Sequence, residues 1–232
     1  MRLLAIETAT QVLGAAVVDE TRILATSSLL IPHPPHAAEL PGLVDRLLRA
    51  SRTEWPALDG IVLDSGPGSF TGLRIGAAFA KALAFARKLP LIAVPSLDVL
   101  AAGVSFSQLP IFPVLDAKRK SVYGAVYEPG KPTLKRRTEY ALASPEEIVA
   151  GCVGPAAFLG DACPLYGARL LELRPGSVIL PEDFWWPKPE TLARLGRERF
   201  LAGQRDDAGR FIPLYLYPLD CSIRKETPQP VA

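Results

Sequence analysis

The apolar positions along the chain predict an alternation of short strands and amphipathic helices. Three strands are predicted first, over 3–7, 13–19 and 23–28. A helix over 36–50, a strand over 60–64 and a helix over 71–88 follow. A strand over 91–94 and a helix from Ser96 to about 104 complete this first part of the chain. A similar order then follows, with strands over 111–115, 121–127 and 135–140, a helix after Ser144, a strand over 157–159 and a last amphipathic helix over 190–203.

The order strand-strand-strand-helix-strand-helix, found twice, predicts an α/β protein with two similar halves. We place the boundary between residues 104 and 105, which gives an N-terminal half of 1–104 and a C-terminal half of 105–232. The last helix is expected to pack back on the first half.

The two longest helices differ in how much apolar surface they carry. The helix over 36–50 has a single apolar stripe, which one sheet can bury; its members are Leu40, Leu43, Val44, Leu47 and Leu48. The helix over 71–88 is apolar nearly all round, with a row of small residues at Gly72, Gly76, Ala80 and Ala84 and a row of large ones at Ile75, Phe79 and Leu83. A small row lets another helix approach closely. The pattern is compatible with a fully internal helix or with a protein–protein interface.

A glycine-rich loop joins the predicted strand over 60–64 to the helix over 71–88. A strand, a glycine loop and a helix start can aim free backbone N–H groups at an anion, and here the glycines are Gly66, Gly68 and Gly72. The loop lacks the lysine of a Walker motif and the spacing of a dinucleotide-binding fingerprint. Taken alone, this segment is a tight turn or a phosphate-binding loop, and the turn is favoured.

Composition narrows the class of protein. The 232 residues are 49% apolar, which suffices for a buried core, and the formal net charge of +2 is too small to indicate a nucleic-acid surface. The basic clusters 118–120 and 135–137 are interpreted as solvated charge. Three cysteines without a Cys-x-x-Cys pair, and no visible secretory signal, predict a cytoplasmic protein with free thiols and no membrane association.

The loop sequence Gly-Pro-Gly-Ser-Phe-Thr-Gly-Leu-Arg-Ile-Gly at 66–76 resembles the signature of the bacterial TsaB (YeaZ) family. Four further segments resemble that family in the expected order, namely 3–10, 36–41, 95–97 and 116–123. Together these motifs cover residues 1–130 well, and the matches beyond that point, at 158–161 and 213–216, are thin.

The resemblance implies a fold, a partner and a function. The fold is the duplicated actin-like or Hsp70-like ATPase fold, which is RNase H-like. The function is that of a non-catalytic dimerisation subunit, which pairs with a TsaD-like catalytic subunit for N6-threonylcarbamoylation of adenosine 37 in ANN-decoding tRNAs. ATP and a metal are expected on the TsaD-like partner, with a TsaE-like ATPase as a further partner, tRNA contacted through the complex, and a homodimer when the chain is alone.

The resemblance also assigns roles to residues. The two long helices become the partner interface, through Leu40, Leu43, Val44, Leu47, Gly72, Ile75, Gly76, Phe79, Ala80 and Leu83. A vestigial nucleotide site would comprise Glu7, Gly66, Gly68, Ser69 and Thr71. No residue is assigned to catalysis.

The acids at strand ends give weak support for phosphoryl transfer. A kinase or ATPase of this fold needs an acid at the end of its first strand. The family carries Asp there, whereas this chain has Glu7, whose carboxylate lies about a bond length further out. Asp64, Asp116 and Asp161 are further candidates, and each is more simply a turn or cap residue.

The histidines give weak support for metal chemistry. The chain has only His33 and His36, and the two prolines between them prevent both from lying on one helical face. Neither a bound metal nor a nucleophilic triad is therefore expected. Two alternatives to the partner subunit stay open: an independent ATPase or small-molecule kinase of the same fold, and a metallopeptidase-like hydrolase.

Overall fold

The computed structural model describes residues 1–30, 35–129 and 134–217, so that His33 and Cys221 lie outside the described residues. The N-terminal half contains β1 (Arg2–Glu7), β2 (Val12–Asp19), β3 (Ile23–Leu30), α1 (His36–Ala50), β4 (Gly60–Asp64), α2 (Phe70–Arg87), β5 (Leu91–Val94) and α3 (Ser96–Gly103). The C-terminal half contains β6 (Ile111–Asp116), β7 (Val122–Gly124), β8 (Ala141–Ala143), α4 (Pro145–Ala150), β9 (Ala157–Leu159), α5 (Cys163–Leu173), β10 (Val178–Ile179) and α6 (Pro189–Leu201).

Two five-stranded sheets share one topology. The strand order is β3-β2-β1-β4-β5 in the first sheet and β8-β7-β6-β9-β10 in the second. In each sheet the first strand pairs antiparallel with the second and parallel with the fourth. This duplicated mixed sheet confirms the predicted α/β class and the actin-like fold. It also makes Glu7, at the end of β1, the topological equivalent of Asp116 at the end of β6.

Helices cover both faces of the first sheet. On one face α1 and α2 pack over a core that includes Leu4, Ile6 and Leu63. On the other face α3 and α6 pack over Leu3 and Val62. The residues of the α1 stripe are all at most 4% exposed, so the single amphipathic stripe read from the sequence does bury against the sheet. Although α6 is the last helix of the described residues, it belongs to the first sheet.

The structure differs from the prediction in several elements. The strand expected over 135–140 is absent, and the strand begins at Ala141 instead; Arg136 makes only an isolated bridge with Tyr127, while its guanidinium stacks 3.8 Å from the ring centroid of Tyr140. Helix α5 was not predicted. Ser96 begins α3 and its hydroxyl donates to Asp64 rather than capping the helix.

Among the described residues, none of the helices is both long enough and apolar enough to cross a membrane.

The carboxylate of Asp98, on α3, joins the two halves. Its Oδ1 accepts hydrogen bonds from the hydroxyls of Tyr127 and Tyr140, each at 2.8 Å. Its Oδ2 accepts from Arg199 of α6 at 3.0 Å. The Asp98 side chain is only 13% exposed, so these bonds form in a medium where an unpaired polar group is costly.

We predict that Asp98→Ala destabilises the chain by about 3 kcal/mol, because it leaves two hydroxyls and a guanidinium without their acceptor. Tyr140→Phe removes a single donor and should cost only about 1 kcal/mol. Urea unfolding of the two variants measures the difference. Equal losses would show that Asp98 does not act as a shared acceptor.

Candidate functional site

Two acidic side chains meet where β1 and β4 end. These strands are parallel neighbours, with Ile6 opposite Leu63, so Glu7 and Asp64 leave the sheet at the same edge. The two residues are 0% and 1% exposed. Glu7 Oε1 accepts from the backbone N–H of Ala9 at 2.9 Å. The other oxygen of each carboxyl group, Glu7 Oε2 and Asp64 Oδ2, is buried without a hydrogen-bond partner.

The two acids differ in how strongly their surroundings favour the protonated form. Asp64 Oδ1 accepts from the backbone N–H of Gly66 at 2.8 Å and from the Ser96 hydroxyl at 2.5 Å. Burial raises the pKa of Asp64, and these donors oppose that rise by favouring its charged form. Burial raises the pKa of Glu7 well above its usual value, and the charge of Asp64 raises it further. Glu7 is therefore the member of the pair that holds a proton most readily.

The glycine loop packs directly on the turn between β1 and β2. A Cβ added at Gly68 would lie 2.1 Å from the Ala9 carbonyl oxygen, and one added at Gly72 would lie 2.0 Å from that of Thr8. The Ser69 N–H donates to the Ala9 carbonyl at 2.7 Å, and the Thr8 hydroxyl donates to the Gly72 carbonyl at 2.9 Å. These glycines are thus required for close backbone approach, and the turn already uses part of the loop's hydrogen-bonding capacity.

The five residues assigned to a vestigial nucleotide site do not line one open cleft. Glu7 and Gly66 are buried, Gly68 is half-buried, and Ser69 and Thr71 are exposed. Ser69 is the N-cap of α2, because its Oγ accepts from the Gly72 N–H at 3.2 Å. The assignment of nucleotide contacts to these residues stays a prediction.

The segment 206–217 covers this region, a role the sequence did not reveal. Asp206 pairs with the edge strand β5, donating to the Leu91 carbonyl and accepting from the Ala93 N–H. The Leu214 N–H donates to the Ser65 carbonyl at 2.7 Å. The Tyr217 hydroxyl then donates to the Ala117 carbonyl at 2.6 Å. The segment therefore runs from the first sheet, past the glycine loop, to the second half. The only signal in the sequence was the thin match at 213–216.

A second pair of acids occupies the equivalent place in the C-terminal half. Asp116 ends β6, and Asp161 follows β9. Asp161 Oδ1 accepts from the Asp116 backbone N–H at 2.7 Å, and burial raises the pKa of Asp161 to about 6. Asp116 forms an ion pair with Lys118 at 2.5 Å. Here a lysine supplies the cation that the Glu7–Asp64 pair lacks.

The residues assigned to the partner interface are mostly internal. Leu40, Leu43, Val44 and Leu47 lie in the core beneath α1, so they cannot form an exposed face of this chain. The small row of α2 points inward as well: Gly72, Gly76 and Ala80 are all buried. A Cβ on Gly76 would lie 2.2 Å from the Thr8 hydroxyl oxygen. The small row of α2 does allow a close approach, but the part that approaches it is the end of β1 in the same chain. Ile75, Phe79 and Leu83 are half-buried at the border.

A different row of α2 is exposed. We define the exposed α2 flank as Thr71, Arg74, Ala78, Ala82 and Phe85. Phe85 is 64% exposed, and Arg74 lies over the ring of Phe70, which is itself 50% exposed. Next to α2, helix α1 exposes the small residues Ala37, Ala38, Pro41 and Gly42. An apolar surface of this kind on two adjacent helices is typical of a protein–protein contact.

The described histidine and cysteines are inaccessible. His36, the first residue of α1, is 5% exposed, and its Nε2 lies 3.3 Å from the Val12 carbonyl oxygen. Burial lowers its pKa. Cys152 and Cys163 are free and buried. Over residues 1–30, 35–129 and 134–217, no three His, Cys, Asp or Glu side chains come together as a metal site would require.

Comparison with known proteins gives consistent matches. The family model described as "TsaD: tRNA N6-adenosine threonylcarbamoyltransferase" matches residues 31–157. The tRNA threonylcarbamoyladenosine biosynthesis protein TsaB of Bacillus subtilis is 33% identical over 221 residues, which cover 93% of this chain and 94% of that protein. TsaB of Escherichia coli is 29% identical over 226 residues, again 93% of this chain and 94% of that protein.

Solved structures agree with these sequence matches. A crystal structure from Pseudomonas aeruginosa, of an uncharacterized protein with similarity to peptidase YeaZ, superposes with a TM-score of 0.81 at 27% identity. The match covers 93% of this chain and 99% of that one. YeaZ from Pseudomonas aeruginosa gives a TM-score of 0.80 at 26% identity, with the same coverage.

We predict that Gly72→Ala destabilises the chain by about 2 kcal/mol or more, because the new methyl group collides with the Thr8 backbone. The matched control is Gly42→Ala in α1, where the nearest atom is the flexible end of Arg46 at 3.3 Å. That change should stabilise the helix by about 0.5–1 kcal/mol. Thermal unfolding compares the two variants, and a harmless Gly72→Ala would contradict the close packing of turn and helix.

Proposed function

Because the chain belongs to the TsaB family of tRNA threonylcarbamoyladenosine biosynthesis proteins, we propose that it is the partner subunit of a TsaD-like catalytic subunit. The pair would form the N6-threonylcarbamoyl group of adenosine 37 in ANN-decoding tRNAs. The observation that carries this proposal is the near full-length similarity to TsaB of Bacillus subtilis. The match to the TsaD family model points to the same modification.

The surface of α1 and α2 is where we place the partner. The buried stripe of α1 and the small row of α2 hold these helices on the sheet, which leaves the exposed α2 flank and the small residues of α1 for contact. A second copy of the chain would use the same surface for a two-fold homodimer, and a TsaD-like subunit with similar helices would replace that copy. A contact of about 1,500 Å² in total is of ordinary size for a specific interface.

The buried acid pair supports a non-catalytic role for this chain. A group that transfers a proton or binds a phosphate must touch the substrate. Glu7 is fully enclosed, and the N-cap of α2 is occupied by Ser69. We therefore assign ATP and metal to the TsaD-like partner, propose a TsaE-like ATPase as a further member, and propose that tRNA is reached through the complex in the cytoplasm.

Two other functions are weighed against this one. An ATPase or small-molecule kinase of the same fold would use the acids that end β1, β4 and β6, and the duplicated topology is what favours it. A peptidase-like hydrolase is supported by the likeness to the Pseudomonas aeruginosa protein with similarity to peptidase YeaZ, and by no residue of the described site. The partner-subunit proposal accounts for the exposed helix surface, which the other two leave unexplained.

We predict that Ala78→Arg, on the exposed α2 flank, abolishes pairing with a co-purified TsaD-like subunit and the threonylcarbamoylation of tRNA by the reconstituted complex. Size-exclusion chromatography, pull-down and nucleoside analysis of the tRNA measure these effects, while circular dichroism should stay near wild type. The matched control is Ala168→Arg, an exposed alanine on α5, which should pair normally. Unimpaired pairing of Ala78→Arg would place the partner elsewhere.

For Ala80, in the buried small row of α2, we expect unfolding instead of a loss of pairing. Ala80 is 0% exposed, so Ala80→Arg should unfold the chain rather than produce a folded protein unable to pair. The pair of variants at positions 78 and 80 thus separates the interface from the core of the same helix.

We also predict that the purified chain hydrolyses no ATP above background, because the acid at the end of β1 is enclosed. A phosphate-release assay, with Glu7→Gln as the comparison, tests this. A steady turnover in the wild type that disappears in Glu7→Gln would favour the ATPase instead.

A further inference from the structure

The two buried acids at the edge of the first sheet have no partner that would balance two negative charges. Glu7 and Asp64 are enclosed, adjacent and of like sign, and each has one oxygen without a partner. No ion pair within the described part of the chain includes either residue. Two ionised carboxylates in this setting would be strongly unfavourable.

The groups around the pair do not supply a compensating cation. The turn after β1 offers Glu7 only the backbone N–H groups of Ala9 and Thr10. The neighbouring Thr8 hydroxyl, which faces α2, is already bonded to the Gly72 carbonyl.

The elements on the other side behave in the same way. From α3, the Ser96 hydroxyl donates to Asp64, and Asp98 adds further negative charge. Arg199 of α6 belongs to the same network, but it is bonded to Asp98 and to the Ala93 carbonyl. The glycine loop contributes one backbone N–H, that of Gly66.

We propose that Glu7 and Asp64 bind one proton between them, as a carboxylic acid–carboxylate pair in which Glu7 Oε2 donates to Asp64 Oδ2. A single proton satisfies both unpartnered oxygens and removes one of the two negative charges. The charge stays on Asp64, because its other oxygen receives the Ser96 hydroxyl as well as a backbone N–H, whereas the turn offers Glu7 backbone N–H groups alone. The raised pKa of Glu7, caused first by burial and then by the charge of Asp64, agrees with this arrangement.

A proton fits the donor set better than a hard cation does. Magnesium and calcium take six or more oxygen ligands, usually including water. This pair is enclosed and offers two oxygens. The proposal concerns the folded chain by itself and does not depend on the proposed partner or function.

The proton links three segments that meet at this point. Through Glu7 it holds the turn at Ala9, and through Asp64 it holds the glycine loop at Gly66 and the start of α3 at Ser96. Loss of the proton would leave two charges where these segments pack. The pair should therefore make this edge of the sheet sensitive to alkaline pH.

The sign of the pH dependence follows from linkage. In the unfolded chain Glu7 titrates near its usual pKa of 4.5, whereas in the folded chain its pKa is raised. Between these values the folded chain holds the extra proton, so stability is complete below the unfolded pKa and is lost as pH rises toward the folded pKa. The unfolding equilibrium constant should increase by up to about tenfold per pH unit from this one group.

The test compares full-length wild type with Glu7→Gln in urea unfolding from pH 5 to pH 9. The glutamine amide donates permanently to Asp64 at every pH. The unfolding equilibrium constant of this variant should therefore lack the increase of up to about tenfold per pH unit, and the variant should be the more stable protein at high pH. The matched control is Glu54→Gln, an exposed acid, which should keep the wild-type slope. Asp161 is present in all three proteins and cancels in the comparison.

Infrared spectroscopy of wild type with isotope-labelled glutamate gives a measurement that needs no variant. We expect the band of a protonated glutamic acid at pH 7, and its absence from Glu7→Gln if that variant folds. Asp64→Asn is the substitute where Glu7→Gln does not fold. A wild type without a protonated glutamate at pH 7, or equal pH slopes for wild type and Glu7→Gln, would overturn the proposal. So would a band that disappears, with a raised unfolding midpoint, on addition of MgCl₂, CaCl₂ or KCl, because the pair would then hold a cation.

Discussion

The close contact between the β1–β2 turn and the start of α2 is the constraint on which the N-terminal half depends. The carbonyl groups of Thr8 and Ala9 occupy the space that side chains at Gly72 and Gly68 would need. This contact brings α2 down onto the sheet and holds the glycine loop against the ends of β1 and β4. It thereby encloses Glu7 and Asp64, and it turns the opposite side of α2 toward solvent. The burial of the acids and the exposed α2 flank are therefore two results of one packing arrangement.

The sequence predicted the elements whose pattern comes from their own residues. One apolar stripe at helical spacing predicts helix α1, His36–Ala50, with little ambiguity. Strands β4 and β5 were found from short apolar runs between turn residues. Ser144 and Glu147 form a capping box at α4, which is a local signal readable without tertiary contacts.

The sequence could not show which surface each apolar row meets. The small row of α2 predicted a close approach, but the same spacing serves a second molecule or the chain's own turn, and the turn at Thr8 is 64 residues away. The segment around Arg136 and Tyr140 carried strand-forming residues, yet tertiary contacts with Asp98 hold Tyr140 instead of a strand ladder. The covering segment 206–217 has no regular period, because backbone and side-chain hydrogen bonds to residues distant in the sequence hold it in place.

The position of α6 has a consequence for how the chain is made. Leu192 and Ala193 of this helix complete the second face of the first sheet, where they cover Leu3 and Val62. These residues leave the ribosome after both sheets have been synthesised. One face of the first sheet therefore stays uncovered until almost the whole C-terminal half has been made. The N-terminal half is thus contiguous in sequence only up to α3 and cannot complete its core during early synthesis. A shortened chain ending before α6 would expose that apolar face, which would make it a substrate for chaperones and a source of aggregation rather than a smaller stable domain.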